Sequence, residues 1–190
     1  MIAVISQLLT AFGLASASGL NAYIPLLLVA LAARFTPLLK LNPPFDILTN
    51  EWVIGTLAVL LAIEIVVDKI PAVDSINDII QTFIRPAAGA ILFAASTNTI
   101  LQLHPIVAAV LGLVLAFGVH ATKSAARPVV GIATGGIGNP IVSTAEDFVS
   151  VIISILAVIL PIAIGAILVI VVIILGWKIF SRTVSAKESD

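Results

Sequence analysis

The chain contains no cysteine, which excludes disulfides and thiolate metal centres. Charge is scarce as well. Only 10% of the 190 residues are Asp, Glu, Lys or Arg, against about 25% in soluble proteins. A net charge of −1 removes any general electrostatic case for nucleic acid as a partner. No Lys or Arg precedes the first apolar run, so Ala15-Ser16-Ala17 lacks the basic segment that a signal-peptidase site needs. That run reads as a retained helix. The glycine-rich stretch Thr134–Pro140 has no Lys-Ser/Thr ending and no strand before it, so nucleotide hydrolysis has no support. His104 and His120 lack metal-ligand spacing, and no Ser/His/Asp set stands out. The sequence therefore points away from an enzyme, and no cofactor is expected.

What is present is apolar. Hydrophobic residues make up 61% of the chain, and the mean hydropathy is +1.25. A soluble fold of this size has no interior large enough for so much apolar surface, whereas a bilayer solvates it directly. The apolar runs are long and lack alternation, which argues against a barrel. Backbone groups in lipid must pair internally, so the fold class is all-α: a polytopic helical membrane protein. The expected partner is the lipid bilayer, with a small ion or solute to be carried. A homo-oligomer is left open.

Met1 to Ala33 has no charged side chain. As one helix it would run about 50 Å, against a hydrocarbon core of about 30 Å. It must tilt, break or turn back, and Ser16–Pro25, with Gly19, Asn21 and Pro25, is the expected break. Arg34–Glu51 is proline-rich and reads as a surface loop, with Trp52 as an interfacial anchor. Trp52–Ile70 is the second span, ended by Pro71. Asp74–Arg85 reads as a short amphipathic helix at the interface, with Asp74 as its cap. Pro86–Leu103 is the third span, with a polar patch at Ser96–Thr99. Ile106–Val119 is the fourth, ending at His120. Thr134–Pro140 is a second Gly/Asn/Pro break, and Ser143 or Thr144 caps the next helix with Glu146 and Asp147 in its first turn. Phe148–Trp177 is a second charge-free run, either a hairpin near Pro161 or one kinked helix. About six spans result, within one domain over residues 1–180 and a polar tail over 181–190. With the Arg34/Lys40 loop outside, the remaining Lys and Arg face inward. Both termini are then cytoplasmic, in a bacterial inner (plasma) membrane.

Arg85-Pro86-Ala87-Ala88-Gly89 and Arg127-Pro128-Val129-Val130-Gly131 hint at a weak internal repeat. The two broken segments, around Asn21 and Asn139, echo each other too. Paired interruptions are the sequence pointer to a transporter-like arrangement.

Six residues are candidates for an ion or solute pathway: Glu64, Asp68, Asn21, Asn139, Arg85 and Arg127. Glu64 and Asp68 are four apart, on one helix face and inside an apolar run. Ionisable groups at that depth are costly and mark function by default. If any metal binds, these two carboxylates are the place for a hard cation. The bland alternative pairs Glu64 with His120, Lys123 or Arg127 and leaves Asp68 and the later acids at the membrane edge. Arg85 and Arg127 would line an anionic route, or merely anchor the helices that follow them.

Ser18–Pro25, Asp68–Asp74, Phe83–Gly89 and Gly135–Pro140 with Glu146-Asp147 are ordered motifs over nearly the whole chain. They resemble a bacterial membrane family filed as a domain of unknown function (four-one-two-six). The resemblance implies a compact helical membrane protein and carries no activity over. A fainter likeness links Glu64-x-x-x-Asp68-Lys69 to the Glu-x-Gly-Asp-Lys motif of cation/proton exchangers. Here the spacing is one residue longer and the glycine is absent. The expected function is a small permease or channel-like protein for a small ion or polar solute. The alternative is a non-transporting membrane protein, either a lipid-handling factor or an accessory subunit.

Overall fold

The computed structural model describes residues 2–97, 103–135 and 137–159, without the side chains of residues 2, 3 and 71–76. The described part is all-α. Six helices follow in order: α1 Ile2–Leu20, α2 Tyr23–Phe35, α3 Glu51–Val67, α4 Pro71–Thr97, α5 Pro105–Thr134 and α6 Gly138–Ile159. A 3-10 turn, Phe45–Thr49, precedes α3. Asn77–Thr97, Pro105–Thr134 and Gly138–Ile159 are long and apolar enough to cross a membrane, and α1 and α2 contribute shorter apolar helices.

The first apolar run turns back on itself. Asn21 and Ala22 separate α1 from α2, and the Asn21 side chain makes the turn workable. Its Oδ1 accepts from the backbone N–H groups of Tyr23 and Ile24 at 3.0 and 3.1 Å, capping the start of α2. After α2, the chain returns to the level where α1 began. Ser6 and Thr10 of α1 share a cavity with Lys40, Ser96 at the end of α4 and Val158 at the end of α6. The remaining helices alternate in direction between that end and a charged end, where α3 stops and α4 starts.

This topology corrects several expectations. The N-terminal helix starts at the same end as the Arg34/Lys40 loop, because α1 and α2 form a hairpin and not one crossing. The N-terminus therefore does not lie opposite that loop. Asp74–Arg85 is not a separate interfacial helix: it is the first half of α4, which runs on through Pro86. Asp74 lies inside that helix and does not cap it. The helix from Pro105 does not end at His120 but continues through Lys123, Arg127 and Pro128 to Thr134. Each proline removes one helical hydrogen bond, and close packing of α4 on α5 carries both helices past it. Ser143 and Thr144 sit inside α6 and are not its caps, so Glu146 and Asp147 fall in its third turn. Pro161, the 181–190 tail, Asn98 and Thr99 lie outside the described residues.

Packing is closest where side chains vanish. A Cβ on Gly89 of α4 would come within 2.7 Å of the Gly112 carbonyl oxygen on α5, and one on Gly19 of α1 within 2.6 Å of the Ala116 carbonyl oxygen. Small residues bring membrane helices to backbone contact in this way. Leu14, Leu26, Val29 and Leu92 fill one apolar cluster. Ala11, Ala15, Phe93 and Ala108 fill a second, where Phe12 meets Phe93 edge to face. The outward faces are apolar, with Val59 and Ile63 on α3, Val110 and Phe117 on α5, and Phe148 and Ile152 on α6 all exposed. Lipid is the solvent such faces require.

Candidate functional site

The short helices set the depth of the site. α1, α2 and α3 have 19, 13 and 17 residues, against 30 in α5. The α1–α2 and α3–α4 turns therefore stop part-way along α5. Polar groups at those turns meet the long faces of α4, α5 and α6 inside the bundle.

Glu64 and Arg85 form the innermost pair. Glu64 Oε1 lies 3.0 Å from Arg85 Nη2, and their side chains are 1% and 0% exposed. Arg85 Nη1 is 3.2 Å from His120 Nδ1, and His120 Nε2 is 2.9 Å from Thr82 Oγ1. A guanidinium only donates, so Nδ1 accepts and the ring proton sits on Nε2. Thr82 accepts that proton and gives its own to the Asp78 carbonyl at 2.8 Å. Every donor in this chain thus has one direction.

Asp68 belongs to a second knot, one helical turn along α3. Its Oδ1 accepts from Asn77 at 2.6 Å and its Oδ2 from Ser143 at 2.8 Å. Arg127 Nη2 stands 3.5 Å from Asp68 Oδ2 and 3.3 Å from Glu146 Oε2, while Arg127 Nη1 reaches Asp78 Oδ2 at 2.9 Å. Lys123 Nζ lies 2.8 Å from Glu146 Oε2 and also donates to the Leu20 carbonyl at 3.1 Å. It thereby caps the end of α1 with a positive charge. Across the same turn, Asn21 Nδ2 donates to Asp147 Oδ1 at 2.9 Å.

Five of the six candidate residues thus gather at one level. The two carboxylates of α3 each meet an arginine that precedes a helix-interior proline: Glu64 meets Arg85, and Asp68 meets Arg127. Neither arginine anchors a helix start, since both are buried mid-helix. The partner of Glu64 is Arg85 and not His120, Lys123 or Arg127. Asp68, 3% exposed, is inside the knot rather than at a membrane edge. Asn139 stands apart at the start of α6. It packs over Gly131 and, with Asp78 and Arg127, lines a cavity of about 560 Å³ between α4 and α5. The Thr134–Pro140 break is a tight α5–α6 turn in which Gly135 takes φ 61°, a left-handed conformation that only glycine adopts without cost.

In the sequence His120 and Lys123 enter only as alternative partners of Glu64, and Glu146 and Asp147 only as charges in a helix's first turn; none of the four is among the candidate site residues. The signal was helical spacing. His120, Lys123 and Arg127 share one face of α5, as Ser143, Glu146 and Ser150 share one face of α6. Ending the fourth span at His120 hid the first set, and placing Glu146 in a first turn hid the second.

Five carboxylates (Glu64, Asp68, Asp78, Glu146 and Asp147) face three cations (Arg85, Lys123 and Arg127). With all of them ionised, these described side chains carry two negative charges in excess. Among the described residues, no three His, Asp or Glu converge closely enough to hold a metal ion by themselves.

A family model described as "Domain of unknown function (DUF4126)" matches residues 8–181. The chain belongs to this family. The match spans all six helices except the first turns of α1 and takes in every residue of the charged centre. No curated protein and no solved structure matches the chain.

Proposed function

We propose that this member of the family is a small permease for a small ion or polar solute, working in a bacterial plasma membrane. The observation that carries the reading is the charged centre, buried in an apolar bundle, with more carboxylates than cations among its described side chains. Ionisable groups at such depth are rare and mark ion or solute pathways. The two chain turns that meet there supply polar helix ends, as transporter sites do. Cavities with polar groups in largely apolar walls lie toward both ends of the bundle. One, of about 180 Å³, has Ser6, Thr10, Lys40 and Ser96 in its wall, and the other Asp78, Thr82, Ser124, Arg127 and Asn139. We take the end with Lys69, Lys123 and Arg127 as cytoplasmic, following the positive-inside bias.

The test is flux in proteoliposomes, with Na⁺, K⁺, H⁺ and small polar solutes each offered in turn. Glu64→Gln and Asp68→Asn should each lower the parent's flux at least tenfold while the variants still purify as folded protein. Unchanged flux in both would remove the centre from the pathway. A second reading has an observation of its own: each cation in the centre has a carboxylate at ion-pair distance. Such a network also serves as a lock between helices in a non-transporting lipid-handling or accessory protein. Absence of flux in the parent for every solute, together with a stoichiometric partner or lipid on purification, selects that reading.

A further inference from the structure

We infer that the cavity between α4 and α5 binds a monovalent metal cation, Na⁺ or K⁺, on main-chain and hydroxyl oxygens of Thr82 and Ser124 with the Asp78 carboxylate. This rests on the permease reading for its purpose and names the ion that reading would use.

Two prolines free the backbone oxygens of this site. In an α-helix the N–H of residue i bonds the carbonyl of residue i−4, and proline has no N–H. Pro86 lies inside α4 and Pro128 inside α5. The carbonyls deprived of their helical donors are therefore those of Thr82 and Ser124. These are not scattered positions. Both residues line the same cavity, and their hydroxyls flank the same nitrogen, His120 Nε2, at 2.9 and 3.4 Å. Two further oxygens on residues lining this cavity, Asp78 Oδ1 and Asn139 Oδ1, have no hydrogen-bond donor. Arg127 lines the cavity as well, but its guanidinium is engaged by Asp78 Oδ2, Glu146 and Asp68, and the lining oxygens left over are acceptors, which suits a cation.

Charge and ligand type narrow the class. Around Arg127 stand Asp68, Asp78 and Glu146, with Lys123 as the second cation. Among the described side chains the carboxylates there outnumber the cations, which favours a bound cation over an anion. Divalent ions draw on several carboxylates at once, and no such convergence exists among the described residues. Backbone carbonyls without a helical donor are among the ligands membrane proteins offer to alkali cations. About 560 Å³ leaves room for the ion to arrive with part of its water shell.

The experiment uses the purified chain in detergent. Its thermal unfolding midpoint is followed in NaCl, KCl and choline chloride at equal ionic strength, and then in MgCl₂. The midpoint should rise with Na⁺ or K⁺ relative to choline. The double variant Pro86→Ala/Pro128→Ala returns an N–H donor to both carbonyls and should need at least tenfold more of that cation for the same rise. Asp78→Asn should do likewise, and the proline double variant stands if Asp78→Asn fails to fold. Equal midpoints in the three monovalent salts overturn the proposal, as does a response to Mg²⁺ alone or a parent-like response in the double variant. Flux of a solute in choline medium without any alkali response overturns the cation site and leaves the permease. A cation response without flux of any solute keeps the site and removes the permease.

Discussion

Glu64 and Arg85 show why a buried ion pair must be read by what its loss leaves behind. Taking two charges out of water costs several kcal/mol each, so the pair itself adds little net stability. Losing one member is another matter. Arg85→Ala strands the Glu64 carboxylate in an interior where its Oε2 already has no donor, and the expected destabilisation is about 3–5 kcal/mol. The double variant Glu64→Leu/Arg85→Met should recover most of that loss. Denaturant unfolding in mixed micelles measures both, and a double variant no better than Arg85→Ala would show that the pair is not self-contained. Asn21 offers a smaller test. Asn21→Ala removes the cap of α2, worth about 1 kcal/mol, and also the donor to Asp147. It should cost more than Asn50→Ala, whose side chain only caps α3 by accepting from Trp52 N–H at 2.9 Å. Equal costs would mean that the Asn21–Asp147 bond contributes nothing.

Between elements, the glycines divide by what a methyl group would meet. Gly112→Ala drives a Cβ to 2.6 Å from Phe93 Cβ, with the Gly89 backbone nearer still. It should force α4 and α5 apart and lower the yield of folded protein severely. Gly55→Ala and Gly118→Ala meet nothing within 4 Å. They should be tolerated or raise the unfolding midpoint, since glycine in a helix is about 1 kcal/mol less favourable than alanine. Comparing the three variants by size-exclusion profile and melting separates close packing from a general intolerance of change. The elements themselves were largely legible in the sequence, because hydrophobic runs and Gly/Asn/Pro punctuation are local signals. The break at Asn21 and the α3 end before Pro71 both followed from such signals. Their continuations were not legible. Arg85-Pro86 and Arg127-Pro128 look like helix starts in sequence, since charge followed by proline is what a start resembles. In the fold α4 packs closely on α5, and both helices continue past the missing hydrogen bond. The site was half legible for the same reason. Glu64 and Asp68 stand out against an apolar run, whereas Lys123 and Glu146 look like ordinary ends until their helices are known to extend beyond them.

For the whole molecule, the hairpin of α1 and α2 fixes which ends share a side. The chain has no cysteine, so single cysteines report cleanly. Ser6→Cys and Lys40→Cys should label together with a membrane-impermeant maleimide on intact cells or vesicles, and Lys69→Cys should label only from the opposite side. Labelling of Ser6→Cys with Lys69→Cys would overturn the α1–α2 hairpin. The placing of Glu64 and Arg85 on successive helices also bears on biosynthesis. The two residues are 21 positions apart, and the chain emerges N-terminal end first. The acid therefore reaches the membrane before the base that neutralises it exists there. If α3 moved into lipid alone, it would carry an unmatched carboxylate into hydrocarbon. The helix has reason to wait at the insertion machinery until Arg85 has been made, so that α3 and α4 leave for the bilayer with Glu64 already matched.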